Sequence, residues 1–138
     1  MMESSIEKES AKAVKALCPL WGLRRVHGKV DRALKAELTR FSISPMQFHI
    51  LGKVIERNEI TERDLCFAFG ANTATMKRSL EWLRKERLIE YGKFSRKGRH
   101  IVRITNEGRK TFLRAYEVWA DSRDHLMSLV RNELAELS

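Results

Sequence analysis

Apolar residues recur every three or four positions through most of the chain, the spacing of a buried face on an amphipathic helix. A long stripe of this kind follows Pro19 and consists of Leu23, Val26, Val30, Leu34, Leu38 and Phe41. Proline fits the first turn of a helix, because the backbone N–H that it lacks has no partner there. The pattern therefore predicts a long helix that begins near Pro19, with a shorter helix before it over residues 5–17.

The middle of the chain carries clear signals for helix starts and stops. Ser44-Pro45-Met46-Gln47 forms a capping box with a proline in the first turn, and the buried face that follows is Phe48, Leu51, Val54 and Ile55. Thr61 opens a short helix, with Asp64 in the reciprocal capping position, and Gly70 ends it. Asn72 then caps another helix, whose inner face is predicted to be Ala74, Leu80 and Leu83, closed by Leu88. Helix, three-residue turn and helix in this order predict a helix-turn-helix.

The period changes after this motif. Residues 89–94 and 100–104 are rich in β-branched and aromatic side chains and predict two short strands, joined by a cationic turn over residues 95–99. A helical pattern resumes after Thr105, with a predicted break near Ser122–His125. The predicted fold class is mainly α with a small β-hairpin wing, in one domain of 138 residues.

The distribution of charge adds a functional indication. The formal net charge is +9, and residues 77–110 alone contain 12 Lys/Arg and 4 Asp/Glu, a net +8. A focused basic segment suits a polyanion, because each neutralised phosphate releases condensed counterions. Charge alone would fit a solvated surface equally well.

The helix-turn-helix indicates which polyanion this positive charge would bind. The second helix of such a motif enters the major groove with its N-terminal residues facing the base edges. The candidate DNA contacts on this helix are Asn72, Thr73, Thr75, Met76, Lys77 and Arg78. The wing adds Lys93, Arg96, Lys97 and Arg99, which suit a narrow minor groove. The alternative for each residue alone is an ordinary cap or a solvated cation, but the caps, the spacing, the hairpin and the charge agree on DNA.

Four stretches in this order resemble the MarR (multiple antibiotic resistance regulator) family of winged-helix transcription factors. They are residues 43–48, 71–78, 83–90 and 102–109, and the resemblance covers about residues 23–112. It implies a DNA-binding part over about 41–105, with a recognition helix 72–87 and a wing 93–100. It also implies dimerisation helices over about 5–40 and 106–138, and a homodimer that represses from a pseudo-palindromic operator. Arg87 departs from the family, since it stands where a glycine is common.

The resemblance also raises the question of what such a regulator senses. Many members respond to a small lipophilic or phenolic effector, and the candidate pocket residues here are Trp21, Phe48 and Tyr116, for which core packing is the plainer interpretation. Cys18 is a candidate redox residue by its position, but the tyrosines that accompany such a cysteine in the family are absent, which favours a structural role. Cys66 is interpreted as core. The four histidines show no ligand spacing, so neither a metal nor another cofactor is predicted.

Other classes of function are less well supported. The chain has no glycine-rich phosphate loop, nucleophile elbow or zinc-protease motif, so we do not expect an enzyme. The competing hypothesis is a winged-helix module that binds protein, RNA or DNA without reading an operator. Glu3, Glu7 and Glu9 precede any apolar run, and no apolar run reaches the length of a membrane span, so we expect a cytoplasmic protein without membrane contact.

Overall fold

A computed structural model describes residues 2–92 and 100–137. The helices in this part are α1 (Met2–Leu17), α2 (Pro19–Leu38), α3 (Pro45–Arg57), α4 (Glu62–Phe69), α5 (Thr73–Lys85) and α6 (Asn106–Glu136). The strands are β1 (Glu59–Thr61), β2 (Ile89–Tyr91) and β3 (Ile101–Ile104). The predicted fold class is confirmed. The chain divides into a terminal unit, residues 1–36 with 121–138, and a central unit, residues 37–120.

The helices of the central unit begin where their capping residues predict. Gln47 N donates to Ser44 Oγ at 3.1 Å, and Ser44 N donates to Gln47 Oε1 at 2.9 Å, which completes the capping box of α3. Thr61 Oγ1 accepts from Asp64 N at 3.1 Å at the start of α4. Gly70 ends α4 with φ of 59°, in the left-handed region that glycine tolerates.

The sheet has one more strand than the sequence predicts. Its strands are antiparallel in the order β1-β3-β2, so β3 is paired on both sides. Ile60 of β1 lies opposite Val102 of β3, and both are buried. The short β1 between α3 and α4 was not predicted, because three residues show no period and their partner lies 40 positions further along the chain.

The core of the central unit lies where α3, α4, α5, the sheet and the start of α6 pack together. Its fully or nearly fully buried side chains are Leu38, Ile43, Phe48, Ile50, Leu51, Val54, Ile60, Leu65, Met76, Leu80, Leu83, Leu88, Ile89, Val102 and Ala115. The predicted inner face of α5 is right for Leu80 and Leu83 and wrong for Ala74, which is exposed. Met76 takes the inward position, because it lies one turn before Leu80 and Leu83.

The end of α5, the start of β2 and the start of α6 are joined by one threonine. Thr105 Oγ1 donates to Arg87 O at 2.7 Å and accepts from Gly108 N at 3.0 Å. Thr105 N donates to Leu88 O at 3.2 Å. Arg87 itself has φ of 61°, in the left-handed region, at the position where the family commonly has glycine. Gly108 lies so close to the backbone that an added Cβ would be 2.0 Å from Leu88 O.

The terminal unit is built from α1, most of α2 and the end of α6. Glu133 is buried on α6 and forms ion pairs with Lys29 and Arg25 of α2. None of the described residues of α1 is buried. The predicted break near Ser122–His125 is wrong, since these residues are helical and α6 continues to Glu136. None of the helices in the described part of the chain has the length and apolar content that a bilayer span requires.

Candidate nucleic-acid interface

The N-terminus of α5 is held in place by Asn72. Its Oδ1 accepts a hydrogen bond from Thr75 N at 2.8 Å, and its backbone is extended, as at a normal N-cap. The cap occupies this side-chain oxygen, while the Asn72 side chain itself remains exposed. Thr73, at the first position of the helix, is exposed, and Thr75 is half-buried. This helix end therefore presents short polar side chains and the positive pole of its dipole to solvent.

Two cations follow on the next turn of the helix. Lys77 and Arg78 are both exposed, and neither side chain forms an ion pair within the described part of the chain. Met76 was a candidate contact, and that prediction is wrong, because the side chain is 0% exposed and packs in the core. The exposed set at this end of α5 is thus Asn72, Thr73, Lys77 and Arg78, with Thr75 partly covered.

The structure describes the root of the wing. β2 and β3 pair antiparallel from Ile89 to Tyr91, and Gly92 N extends the ladder by donating to Ile101 O at 2.7 Å. The rings of Tyr91 and His100 stack at the end of the described strands, with centroids 4.9 Å apart and planes inclined by 26°. The predicted wing contacts Lys93, Arg96, Lys97 and Arg99 lie outside the described residues.

A cleft of about 370 Å³ lies between α5 and the root of the wing. It is lined by Glu62, Lys77, Arg78, Glu81, Tyr91 and His100. The Arg84 guanidinium donates to Glu81 and holds the pKa of that carboxyl below its usual range. Burial, followed by the negative charges of Glu81 and Glu62, raises the pKa of Tyr91. Its hydroxyl is therefore protonated, and can donate, throughout the neutral range.

Sequence reasoning missed this cleft. Tyr91 and His100 are nine positions apart and meet only because β2 and β3 pair. Each taken alone looks like an ordinary strand residue. The available signal was the predicted hairpin itself, since strand pairing brings residues of one strand within contact distance of residues of the other.

A second cavity of about 410 Å³ lies within the central unit. It is lined by Phe48, His49, Gly52, Lys53, Glu56, Phe69, Phe112, Tyr116 and Trp119. The rings of Phe48 and Phe112 stack with centroids 5.1 Å apart, and those of Tyr116 and Trp119 are 5.6 Å apart. Two of the three predicted pocket residues, Phe48 and Tyr116, are thus brought together. Trp21 belongs to the terminal unit and is 49% exposed.

The two cysteines lie in different units of the chain. Cys18 lies between α1 and α2, and Cys66 lies on α4; both thiols are free and both residues are half-buried. Cys66 is therefore less deeply packed than the sequence predicts. Within residues 2–92 and 100–137, His, Cys, Asp and Glu side chains do not gather in groups of three that could hold a metal ion.

Comparison with known proteins gives matches in structure but not in sequence. No protein-family model matches the chain, and no curated protein matches it significantly. A mutant of Escherichia coli MarR in complex with operator DNA superposes with a TM-score of 0.75 and 23% identity, covering 90% of this chain and 91% of that one. The Mycobacterium tuberculosis regulator MosR in complex with DNA gives 0.73 and 21%, over 87% and 92% of the two chains.

A Staphylococcus aureus MepR–DNA complex gives a TM-score of 0.70 and 19% identity, over 81% of this chain and 82% of that one. All three superpositions cover more than four fifths of both chains. The chain therefore has the winged-helix fold of the MarR-family transcription regulators.

Proposed function

We propose that this protein is a transcription regulator that binds double-stranded DNA, and that it acts as a homodimeric repressor on a pseudo-palindromic operator. The observation that carries the proposal is the start of α5, which exposes Thr73, Lys77 and Arg78 from the second helix of a helix-turn-helix. The same fold is seen with DNA in MarR, MosR and MepR.

The proposed docking places the recognition helix, residues 72–87, in the major groove. Thr73 and Thr75 offer hydroxyl and methyl groups that suit thymine and phosphate, and Arg78 can make a bidentate contact with guanine. The wing, residues 93–100, lies at the adjacent minor groove, where its arginines and lysines would be attracted by the negative potential. The net +8 of residues 77–110 supplies the phosphate contacts that dominate affinity.

The proposal of a homodimer rests on the terminal unit. This unit leaves large apolar side chains exposed on each of its helices and directly after α6, and they are Met2, Ile6, Val14, Leu17, Leu20, Trp21, Leu23, Met127 and Leu137. A second copy would cover them, and it would present two recognition helices to the two halves of a palindrome. Sedimentation should give a dimer for the whole chain and a monomer after deletion from Met127 onward. A dimer that survives this deletion would remove α6 from the interface.

The decisive experiment is a titration of the whole protein into two fluorescent duplexes, one from the DNA upstream of its own gene and one of random sequence. We expect tighter, steeply salt-dependent binding to the upstream duplex, with two subunits per site. Arg78→Ala should lose about 1–3 kcal/mol on the upstream duplex. Arg114→Ala removes the same charge from an exposed position on α6 and should leave binding unchanged. Equal losses in both variants would refute a base-reading role for Arg78.

A second candidate function is a winged-helix module that binds a protein, or nucleic acid without sequence preference. It is favoured by the exposed cations if they act only as a general polyanion surface. Weak binding of equal strength to both duplexes would support this candidate and exclude an operator.

We further propose that the 410 Å³ cavity holds a small lipophilic or phenolic effector. Support comes from its aromatic walls, which include Phe48, Phe112 and Trp119, and from a size suited to a small ligand. 1-Naphthol is a suitable probe, since it is phenolic and its stacking would quench tryptophan fluorescence. Saturable quenching that a Gly52→Leu variant abolishes would support the proposal, because Gly52 lines the cavity beside Phe112. Quenching of equal affinity in that variant would refute it.

A further inference from the structure

We propose that the cleft between α5 and the wing root seats one phosphate of the DNA backbone, with the Tyr91 hydroxyl as a donor from the sheet side. This rests on the proposed function and deepens it, since it adds a donor from the sheet to the contacts of the recognition helix and the wing tip. Among the described residues of the cleft, Lys77 and Arg78 lie on one wall and Tyr91 and His100 on the other.

The dimensions of DNA put a backbone strand at this place. The major groove is about 12 Å wide, and an α-helix with its side chains is about 10–12 Å across, so a helix seated there fills the groove. Whatever flanks that helix then faces the sugar-phosphate backbone. The cleft flanks α5 at Lys77, Arg78 and Glu81, which lie on its first turns after the cap. Any strand that leaves the groove on this side passes over it.

The donors of the cleft suit a phosphate oxygen. Lys77 and Arg78 bring positive charge from the helix. The stacked His100 ring limits the positions open to the Tyr91 ring, with centroids 4.9 Å apart, so little rotational freedom is left to lose on binding. The Tyr91 hydroxyl is protonated at neutral pH, as any tyrosine is, so it can donate a hydrogen bond to an anion.

Two acidic residues, Glu81 and Glu62, also line the cleft. Glu81 repels an incoming phosphate only weakly, because its negative charge is balanced by the paired Arg84 guanidinium. Glu62, at the first residue of α4, opposes the phosphate. The negative charge of Glu62 therefore lowers the affinity of the cleft for a phosphate. Neutralising Glu62 should raise that affinity.

The test compares Tyr91→Phe, Glu62→Gln and the control Ser10→Ala with the unmodified protein on a random-sequence duplex and on the upstream duplex, at several salt concentrations. Tyr91→Phe removes one oxygen and should weaken binding about threefold to tenfold on both duplexes, as expected for one lost hydrogen bond. The ratio of the two affinities and the slope with salt should stay constant, because no base contact and no cation is lost. Glu62→Gln should bind both duplexes more tightly.

Ser10→Ala is the control, because it removes a hydroxyl from α1, where the residue is exposed. Its DNA binding should equal that of the unmodified protein. A Tyr91→Phe protein that unfolds at the same temperature and binds both duplexes as before would overturn the phosphate seat and leave the proposed function intact. A loss confined to the upstream duplex would also overturn it, since it would show base readout. Failure of the unmodified protein to bind either duplex would instead refute the proposed function.

Discussion

Gly108 provides the sharpest test of how the central unit is packed. It is the third residue of α6, and its N–H donates to the Thr105 side chain that caps the helix. A Cβ added here would lie 2.0 Å from Leu88 O and 2.7 Å from Ile104 Cδ1. Real Cβ atoms essentially never approach another heavy atom within 3.0 Å, so at least an ångström of overlap must be relieved. The Ile104 methyl can rotate away, but the Leu88 carbonyl belongs to the backbone.

The size of the effect follows from what must break for that carbonyl to move. Leu88 O accepts from Thr105 N, and its neighbour Arg87 O accepts from Thr105 Oγ1. Leaving one such group without a partner costs about 1–3 kcal/mol, and losing the cap costs about 1 kcal/mol. The helix propensity of alanine returns up to about 1 kcal/mol. With the full propensity gain subtracted, we expect Gly108→Ala to lower the free energy of unfolding by about 1–3 kcal/mol.

The assay is urea unfolding followed by circular dichroism, at one fixed protein concentration because association adds to stability. Gly28→Ala is the matched control, since it makes the same change inside α2, where an added Cβ would meet only the guanidinium of Arg32 at 3.4 Å. That variant should be equal to the parent or more stable by up to about 1 kcal/mol. If Gly108→Ala unfolds within 0.5 kcal/mol of Gly28→Ala, a value on the order of experimental scatter, the packing argument is wrong.

Three further changes have defined signs. Arg87→Gly should raise the free energy of unfolding by about 0.5–1 kcal/mol. The φ of 61° costs a residue with a side chain about 1–2 kcal/mol, and the greater chain entropy of unfolded glycine offsets part of the gain. An unfolding curve shifted to lower urea would contradict this. Ser44→Ala should lower the free energy of unfolding by about 1 kcal/mol, because the hydrogen bond from Gln47 N is lost. Ser10→Ala, on the exposed α1, should leave it unchanged. Equal unfolding curves for the two variants would refute the role of Ser44 as a cap. The raised pKa of Tyr91 gives stability that is complete below the ordinary value of 10.0 and is lost as pH rises through the higher folded-state value. Tyr91→Phe should therefore lose less stability than the parent between neutral and strongly alkaline pH. Equal losses of stability in the two proteins would show that the pKa of Tyr91 is not raised by folding.

Local chemistry accounts for most of what the sequence predicts correctly. Ser44, Gly70 and Asn72 each fulfil their role with partners within three or four residues, so a short window contains all the necessary information. The helix-turn-helix and its bounds follow from these residues. The exposed start of α5 could be predicted to the same extent, since an N-cap fixes which residues begin the helix.

Tertiary contacts decide what the sequence could not give. Met76 and Ala74 are both plausible inward residues on α5, and only the position of the surrounding core selects Met76. β1 forms because its residues pair with β3, and not because three residues favour a strand by themselves. Tyr91 reaches its place in the cleft through strand pairing, and no local pattern marks it.

The exposure of α1 makes its helical state conditional. A helix of 16 residues is close to the shortest that persists in water without support, and none of its described side chains is buried within the chain. Its order then depends on whatever covers Ile6, Val14 and Leu17. If a second copy covers α1, as proposed, the protection of its amides from hydrogen exchange should rise with protein concentration. That rise would measure, at single-residue resolution, the fraction of chains in which α1 is covered.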